Sequence, residues 1–156
     1  MKDAGMKKFL AISDAASLAI HTLALMATRP QAIFSNHLLA ETLQASPHHL
    51  SKVLQRLSRA GYVDSVRGPK GGFRMVPDWE GISLLDIYEA MEGRWNPATC
   101  LLGRTVCLNG RRCPLSHLLR GMSRQVQETL RRNTLSDLVK YFTVRKKAFS
   151  KKEGTP

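Results

Sequence analysis

The sequence predicts a mainly α-helical protein with one small β-hairpin and a long helix near its C-terminal end. Three observations lead to this prediction. Apolar residues recur at helical spacing through most of the chain. Two short segments of alternating character flank a glycine-rich turn at 67–72. A second long helical pattern begins at Pro114 and continues almost to residue 143.

The first two helices follow from their apolar spacing and their boundary residues. A helix is predicted from Ser13 to Thr28, because Ser13 can cap its start and Pro30 prevents its continuation. A second, shorter helix is predicted over 37–44, with Asn36 as the N-cap that accepts from its free amides.

The third helix has the most specific start. Ser46 is followed by Pro47, and proline is tolerated at the first helical position because its missing N–H would have had no partner there. Gly61 ends the helix near Ala60. At about 100° per residue the helix has one apolar face and one polar face. The apolar face consists of Leu50, Val53, Leu54 and Leu57, and the opposite face of His48, Lys52, Gln55 and Arg59.

A β-hairpin directly follows this helix. Segments 62–66 and 73–76 alternate as strands do, and the turn between them contains three glycines, a proline and the cations Arg67 and Lys70. Two helices joined by a short turn and followed by a hairpin form a winged helix-turn-helix, and we call this hairpin the wing. The alternatives are an ordinary amphipathic helix with a solvated side and a hairpin whose basic tip is incidental.

The winged arrangement predicts a double-stranded DNA partner. The third helix would enter the major groove, while the wing would reach phosphates or the adjacent minor groove. The candidate DNA-binding residues are His48, His49, Lys52, Gln55, Arg56, Arg59, Arg67 and Lys70.

Composition agrees with a polyanionic partner. The 156 residues include 24 Lys and Arg against 12 Asp and Glu, a formal net charge of +12. No apolar run reaches the roughly 20 residues that a membrane-spanning helix needs, and the start lacks a signal peptide, so we expect a cytoplasmic protein with no membrane partner. No nucleophile–base pair, phosphate loop or paired-carboxylate motif is present at usable spacing, so we do not expect an enzyme.

The chain divides into four predicted parts. Residues 1–93 form the winged helix-turn-helix with a linking helix that Ser83 caps and Gly93 ends. Residues 94–113 form a cysteine-containing loop, and 114–143 a dimerisation helix with a break near Asn133–Thr134. Residues 144–156 form a basic tail that we expect to be disordered. The apolar face of the long helix exceeds what one small domain can cover, which predicts a homodimer.

The loop carries all three cysteines of the chain. Six residues separate Cys100 from Cys107, and five separate Cys107 from Cys113. This is not the paired spacing of a zinc ribbon, but a long loop can supply thiolates to an iron–sulfur cluster. Free thiols that sense redox state are the alternative.

Three thiolates leave one coordination position for another group. His117, four residues after Cys113, is one candidate. The alternative is that His117 is an ordinary, half-exposed histidine near a helix start. The other candidates are Asp14 and His21 on the first helix of a partner subunit.

Three segments of the sequence resemble one family of bacterial regulators. The most specific runs from Leu54 to Phe73 and reads LQRLSRAGYVDSVRGPKGGF. The others are ISLLDIYEAMEG at 82–93 and TLSDL at 134–138. With them, nearly the whole chain resembles the winged helix-turn-helix regulators that include the iron–sulfur-biogenesis regulator IscR and the nitric-oxide-sensitive repressor NsrR.

The resemblance implies a dimeric repressor or dual regulator that binds a two-fold symmetric promoter site. It also implies that Cys100, Cys107 and Cys113 hold a [2Fe–2S] or a [4Fe–4S] cluster. Two departures concern the fourth ligand. His117 lies one position later than the ligand histidine of the biogenesis regulator, and Ser17 stands where the nitric-oxide sensor has an aspartate.

Two functional hypotheses follow. In the first, promoter binding depends on the cluster or on the redox state of the cysteines. In the second, a cluster-free regulator responds to a protein partner from cysteine or sulfur metabolism, as some members of the family do.

Overall fold

The computed structural model of the protein describes residues 12–96 and 113–141. Within these ranges the chain forms helices, one hairpin and a short 3-10 turn at Trp79–Gly81. The helices are α1 (Asp14–Ala27), α2 (Asn36–Thr42), α3 (Pro47–Arg59), α4 (Leu84–Glu92), α5 (Pro114–Arg132) and α6 (135–141). The strands are β1 (Val63–Val66) and β2 (Gly72–Met75). The predicted mainly helical architecture with one hairpin is confirmed.

Helices α1 and α3 begin at the residues that the sequence indicates. The Ser13 hydroxyl accepts from the Ala16 N–H at 3.1 Å, and Ser46 caps α3 in the same way with Pro47 in the first turn. Helix α3 ends at Arg59, and Gly61 follows with a φ of +78°, a left-handed conformation that favours glycine. The predicted boundaries of α3 are therefore confirmed.

The predicted N-cap of α2 is wrong. Ser35, not Asn36, is the cap, and its hydroxyl accepts from the Leu38 N–H at 3.1 Å. The side-chain amide of Asn36 instead donates to the carbonyl of Pro47 at 3.0 Å, which fixes the start of α2 to the start of α3. The helix also ends at Thr42, two residues before the predicted end, and Gln44 adopts a φ of +51° in the turn toward α3.

The wing is an antiparallel pair in which Val63 faces Met75 and Val66 faces Gly72. A third segment joins its base. Phe34, in the connection between α1 and α2, exchanges two backbone hydrogen bonds with Phe73, of 2.8 and 2.9 Å. Gly72 lies against this connection so closely that an added Cβ would be 2.3 Å from the Phe34 carbonyl oxygen. The base of the wing is therefore fixed to the helix-turn-helix.

The core lies between α1, α3 and α4. Leu23 of α1, Leu54 and Leu57 of α3 and Ile87 of α4 are fully buried there. The predicted apolar face of α3, Leu50 to Leu57, is buried throughout. Burying each such side chain stabilises the fold by about 1.5–3 kcal/mol, so this cluster positions α3.

The end of α5 is joined to the start of α4. The Leu84 N–H donates to the Asn133 carbonyl at 2.9 Å, and the Leu135 N–H donates to the Ile82 carbonyl at 2.8 Å. Leu135 is fully buried in the same core. The predicted break near Asn133–Thr134 is confirmed, and at the break the end of the long helix is hydrogen-bonded to the start of α4.

Both helices at this junction start with a capping box. Ser83 and Asp86 form one at α4, and Thr134 and Asp137 form the other at α6. The backbone N–H of Thr134, with the Lys140 ammonium and the Thr134 hydroxyl, lowers the pKa of Asp137 to about 2. In the part of the chain that the structure describes, no helix is long and apolar enough to cross a membrane.

Candidate DNA interface and cysteine site

The exposed face of α3 (His48, Lys52, Gln55 and Arg59) points into solvent along its whole length. Arg56 is exposed beside it. His49 differs from the other candidates because it is only partly exposed. It lines a cleft between α3, the α2–α3 turn and α1, together with Asp14 and His21. The burial of Leu50, Val53, Leu54 and Leu57 on the other side turns the exposed face outward.

The candidate cations at this surface have no ion-pair partner in the part of the chain that the structure describes. Among residues 12–96 and 113–141, no carboxylate forms an ion pair with Lys52, Arg56, Arg59, Arg67 or Lys70. By contrast, Arg74 on the wing lies 3.9 Å from Asp64 on the neighbouring strand. Unpaired, exposed cations keep their charge available for phosphate groups.

The wing tip presents Arg67 and Lys70, and both side chains are exposed. The tip turns tightly, with the Gly71 N–H donating to the Gly68 carbonyl at 2.9 Å. Gly68 has a φ of +116°, a conformation that residues with a Cβ rarely adopt. The two cations thus project from a short, closed turn.

Of the three cysteines, the structure describes Cys113. It is the N-cap residue of α5, it is partly exposed, and its side chain makes no capping hydrogen bond. Cys100 and Cys107 lie outside the described residues. Among the residues described, no three side chains of His, Cys, Asp or Glu come together as a metal site.

The candidate fourth ligands lie in two different places. His117 is exposed in the first turn of α5, and its backbone N–H donates to the Cys113 carbonyl at 3.4 Å. Asp14 and His21 line the cleft that faces α3, and the His21 Nδ1 lies 2.7 Å from the Ser17 carbonyl. His117 is therefore the candidate that shares a helix turn with Cys113.

Trp95 connects the helices on either side of the cysteine loop, and sequence reasoning did not identify it. Its indole N–H donates to the Ser123 hydroxyl on α5 at 3.2 Å, and its backbone N–H donates to Glu89 on α4 at 2.9 Å. Its ring packs on Tyr88, with 4.9 Å between ring centroids and 52° between planes. A tryptophan in a polar segment was the available signal, but its main partner lies 28 residues away.

Known proteins match the chain over most of its length. A family model described as "Rrf2: Iron-dependent Transcriptional regulator" matches residues 12–141. The regulator NsrR of Bacillus subtilis is 34% identical over 117 residues, which cover 74% of this chain and 80% of that protein. The regulator IscR of Vibrio campbellii is 31% identical over 102 residues, 65% of this chain and 60% of that protein.

A solved structure shares the fold. CymR, described as the global cysteine regulator of Bacillus subtilis, has a TM-score of 0.71 at 26% identity, and the match covers 85% of this chain and 98% of that one. These relatives are transcription regulators rather than enzymes, and the family resemblance seen in the sequence is confirmed. The chain belongs to the Rrf2 family of DNA-binding transcription regulators.

Proposed function

We propose that the protein is a dimeric repressor whose affinity for promoter DNA depends on an iron–sulfur cluster, or on the redox state, at Cys100, Cys107 and Cys113. One observation carries the DNA-binding part of this proposal. The exposed face of α3 and the wing tip hold cations that no acidic side chain of the described residues neutralises. The activity requires a cytoplasmic location, where bacterial promoter DNA lies.

The DNA contacts would divide between the two elements. An α-helix fits the major groove, so Lys52, Gln55 and Arg59 would face base edges and flanking phosphates. Arg67 and Lys70 would contact the backbone or the minor groove beside it. His49, in the cleft beside α1, would contact DNA only at its edge.

The proposed dimer would form through α5. Leu115 and Leu118 on its first turns are 49% and 56% exposed. Farther along, Met122, Val126 and Leu130 line an apolar groove with Ile12 before α1. A second copy of α5 would cover this surface, and the two α3 helices would then reach successive major grooves.

Substitution of Leu118 by glutamate tests this interface. We expect it to shift the protein to a monomer in sedimentation velocity and to weaken binding to a two-fold symmetric site. A protein that stays dimeric with both leucines 115 and 118 changed would rule out the proposed interface.

The described part of the cysteine site fits a thiolate ligand. Cys113 is partly exposed and its side chain makes no capping bond, so metal coordination by its thiolate would break no capping interaction. Cys100, Cys107 and Cys113 would hold the cluster, with the fourth ligand from His117 of the same chain or from Asp14 or His21 of a partner chain. A bound cluster would supply a centre that reacts with oxidants and nitric oxide.

One preparation tests the sensor part of the proposal. The protein is purified without oxygen, its visible absorption is recorded, and iron and sulfide are assayed. Its affinity is then measured for a duplex selected from random sequences, before and after oxidation and after chelation. We expect a coloured protein whose affinity differs at least tenfold between two of these states. A colourless, iron-free protein with equal affinity in every state would overturn the proposal.

The structural likeness to CymR favours a second candidate function. That protein is described as a global cysteine regulator, and 98% of its length matches this chain. In this alternative, a cluster-free dimer binds a protein partner from cysteine or sulfur metabolism. Stoichiometric capture of such a partner by iron-free protein, with a change in promoter affinity, would support it.

A further inference from the structure

We propose that Trp95 is a positioning residue that fastens α5 to α4 at a releasable contact, and that the cysteine site alters DNA binding by opening or closing this contact. The inference rests on the proposed function and adds how the signal would travel. It is carried by two hydrogen-bonded contacts between α5 and the rest of the described chain, which differ in kind. Between them along α5, Val126 and Leu130 pack against the core.

The first contact is a fixed pivot at the C-terminal end of α5. It consists of the two backbone hydrogen bonds that join Leu84 to Asn133 and Leu135 to Ile82. Two capping boxes and the fully buried Leu135 surround it. Separating this junction would expose core and leave backbone groups unpaired, so it stays closed while the protein is folded.

The second contact is the Trp95 latch, made by side chains. A single hydrogen bond of 3.2 Å joins the indole N–H to the Ser123 hydroxyl. Both residues are partly exposed, so water can replace either partner when they separate. The Trp95–Ser123 hydrogen bond can therefore open without leaving a buried polar group unpaired.

The latch lies between the pivot and the cysteine site. Ser123 is nine residues before Arg132 and ten after Cys113, which places it near the middle of α5. At about 1.5 Å per residue, Cys113 is about 15 Å beyond the latch. A displacement at Cys113 would act on the Trp95–Ser123 bond through the rigid length of the helix.

On its other side the latch contacts the DNA-binding domain. The Trp95 ring packs on Tyr88, which is only 6% exposed and belongs to the core that holds α3. Its backbone N–H donates to Glu89. Tyr62, the residue before the wing, packs against the same core. Burial, and then the carboxylates of Asp86 and Glu89 on α4, raise the pKa of Tyr62. Movement of Trp95 would thus reach both α3 and the wing through α4.

Two single substitutions test the latch. Trp95→Phe keeps an aromatic ring on Tyr88 but removes the indole donor, and Ser123→Ala removes the acceptor. The measured quantity is the ratio of promoter affinities between the anaerobic and the oxidised protein. We expect each variant to reduce this ratio at least threefold, and the double variant to reduce it no further, because one contact is lost in all cases.

Trp79→Phe is the matched control, since Trp79 lies in the 3-10 turn and takes no part in the latch. We expect it to keep the wild-type ratio. It also leaves Trp95 as the one tryptophan of the chain, so oxidation should move its fluorescence emission to longer wavelength as the ring becomes hydrated.

The outcomes separate the latch from the proposed function. If wild-type affinity is the same in all states, both fail. If the wild type switches while Trp95→Phe and Ser123→Ala switch equally well and the Trp95 emission does not move, the latch is overturned and the proposed function stands. Should Trp95→Phe fold poorly, Ser123→Ala alone decides.

Discussion

The helix-turn-helix with its wing and the first turns of α5 are built in opposite ways. In the former, Asn36 fixes α2 to α3, Phe34 pairs with Phe73, and the apolar face of α3 is fully enclosed. In the latter, Leu115 and Leu118 expose about half of their surface, and Cys113 begins the helix without a capping bond. The surface that would read DNA is complete within one chain, whereas under the proposed function the region beside Cys113 would be completed by another molecule or group.

The largest expected difference between the two regions is in stability. Leu54→Ala removes a fully buried side chain and should lower the free energy of unfolding by about 2–5 kcal/mol. Leu118→Ala, at a half-exposed position, should lower it by much less and act on dimerisation instead. Urea unfolding at several protein concentrations measures both effects. Equal losses that do not depend on concentration would contradict the comparison.

A smaller loss in the free energy of unfolding is expected from a substitution at the base of the wing. Gly72→Ala places a Cβ against the Phe34 carbonyl, and the adjustment should cost about 1–3 kcal/mol and reduce promoter affinity. Gly121→Ala is the control, because a Cβ there meets nothing within 4 Å and alanine favours the helix by about 1 kcal/mol. The unfolding temperature should fall for Gly72→Ala and rise for Gly121→Ala. A higher unfolding temperature for Gly72→Ala would contradict the close packing.

Among the exposed cations, position should matter more than charge. Lys52→Ala and Arg67→Ala should each weaken promoter binding by about 1–3 kcal/mol and reduce its dependence on salt. Lys140→Ala removes the same charge from α6, where the ammonium pairs with Asp137 at 3.0 Å, and should change affinity little. Equal losses from all three variants, measured by fluorescence anisotropy at two salt concentrations, would mean that net charge alone drives binding.

The smallest expected effect is at the cap of α6. The folded protein lowers the pKa of Asp137 from 3.8 to about 2, so its carboxylate stabilises the folded state above pH 3.8. This contribution is lost as the pH falls from 3.8 toward 2. Asp137→Asn should therefore lower the unfolding temperature slightly at pH 7, and the difference from wild type should shrink at pH 2.5. A difference that is unchanged at pH 2.5 would assign the effect to something other than the charge.

Local patterns were sufficient to predict the helices, the hairpin and the exposed face of α3. Helical spacing, the Ser46–Pro47 start and Gly61 depend on neighbours within one or two turns, and the structure agrees with all three. Helical periodicity also predicts which side of α3 is exposed. At about 100° per residue, the polar side chains lie opposite the apolar side chains that the core buries.

Contacts between distant residues account for what the sequence did not reveal. Serine and asparagine are both common N-cap residues, so the sequence alone allows either Ser35 or Asn36. In the structure Ser35 caps α2, and the Asn36 side chain bonds to Pro47, eleven residues away. The Phe34–Phe73 and Ser83–Thr134 bridges are single pairs without periodicity, so no pattern indicates them. The Trp95 contact with Ser123 belongs to the same class.

Because Phe34 and Phe73 exchange two backbone bonds below the turn, the exposed side chains of Arg67, Pro69 and Lys70 can change independently of the base of the wing. Gly68 and Gly71 are constrained by the turn itself. A longer tip, or one with different charges, would alter the contact of the wing with DNA and leave the Phe34–Phe73 pairing at its base intact. Under the proposed function, promoter choice would therefore diverge at one turn, without any change to the helices that form the rest of the proposed recognition surface.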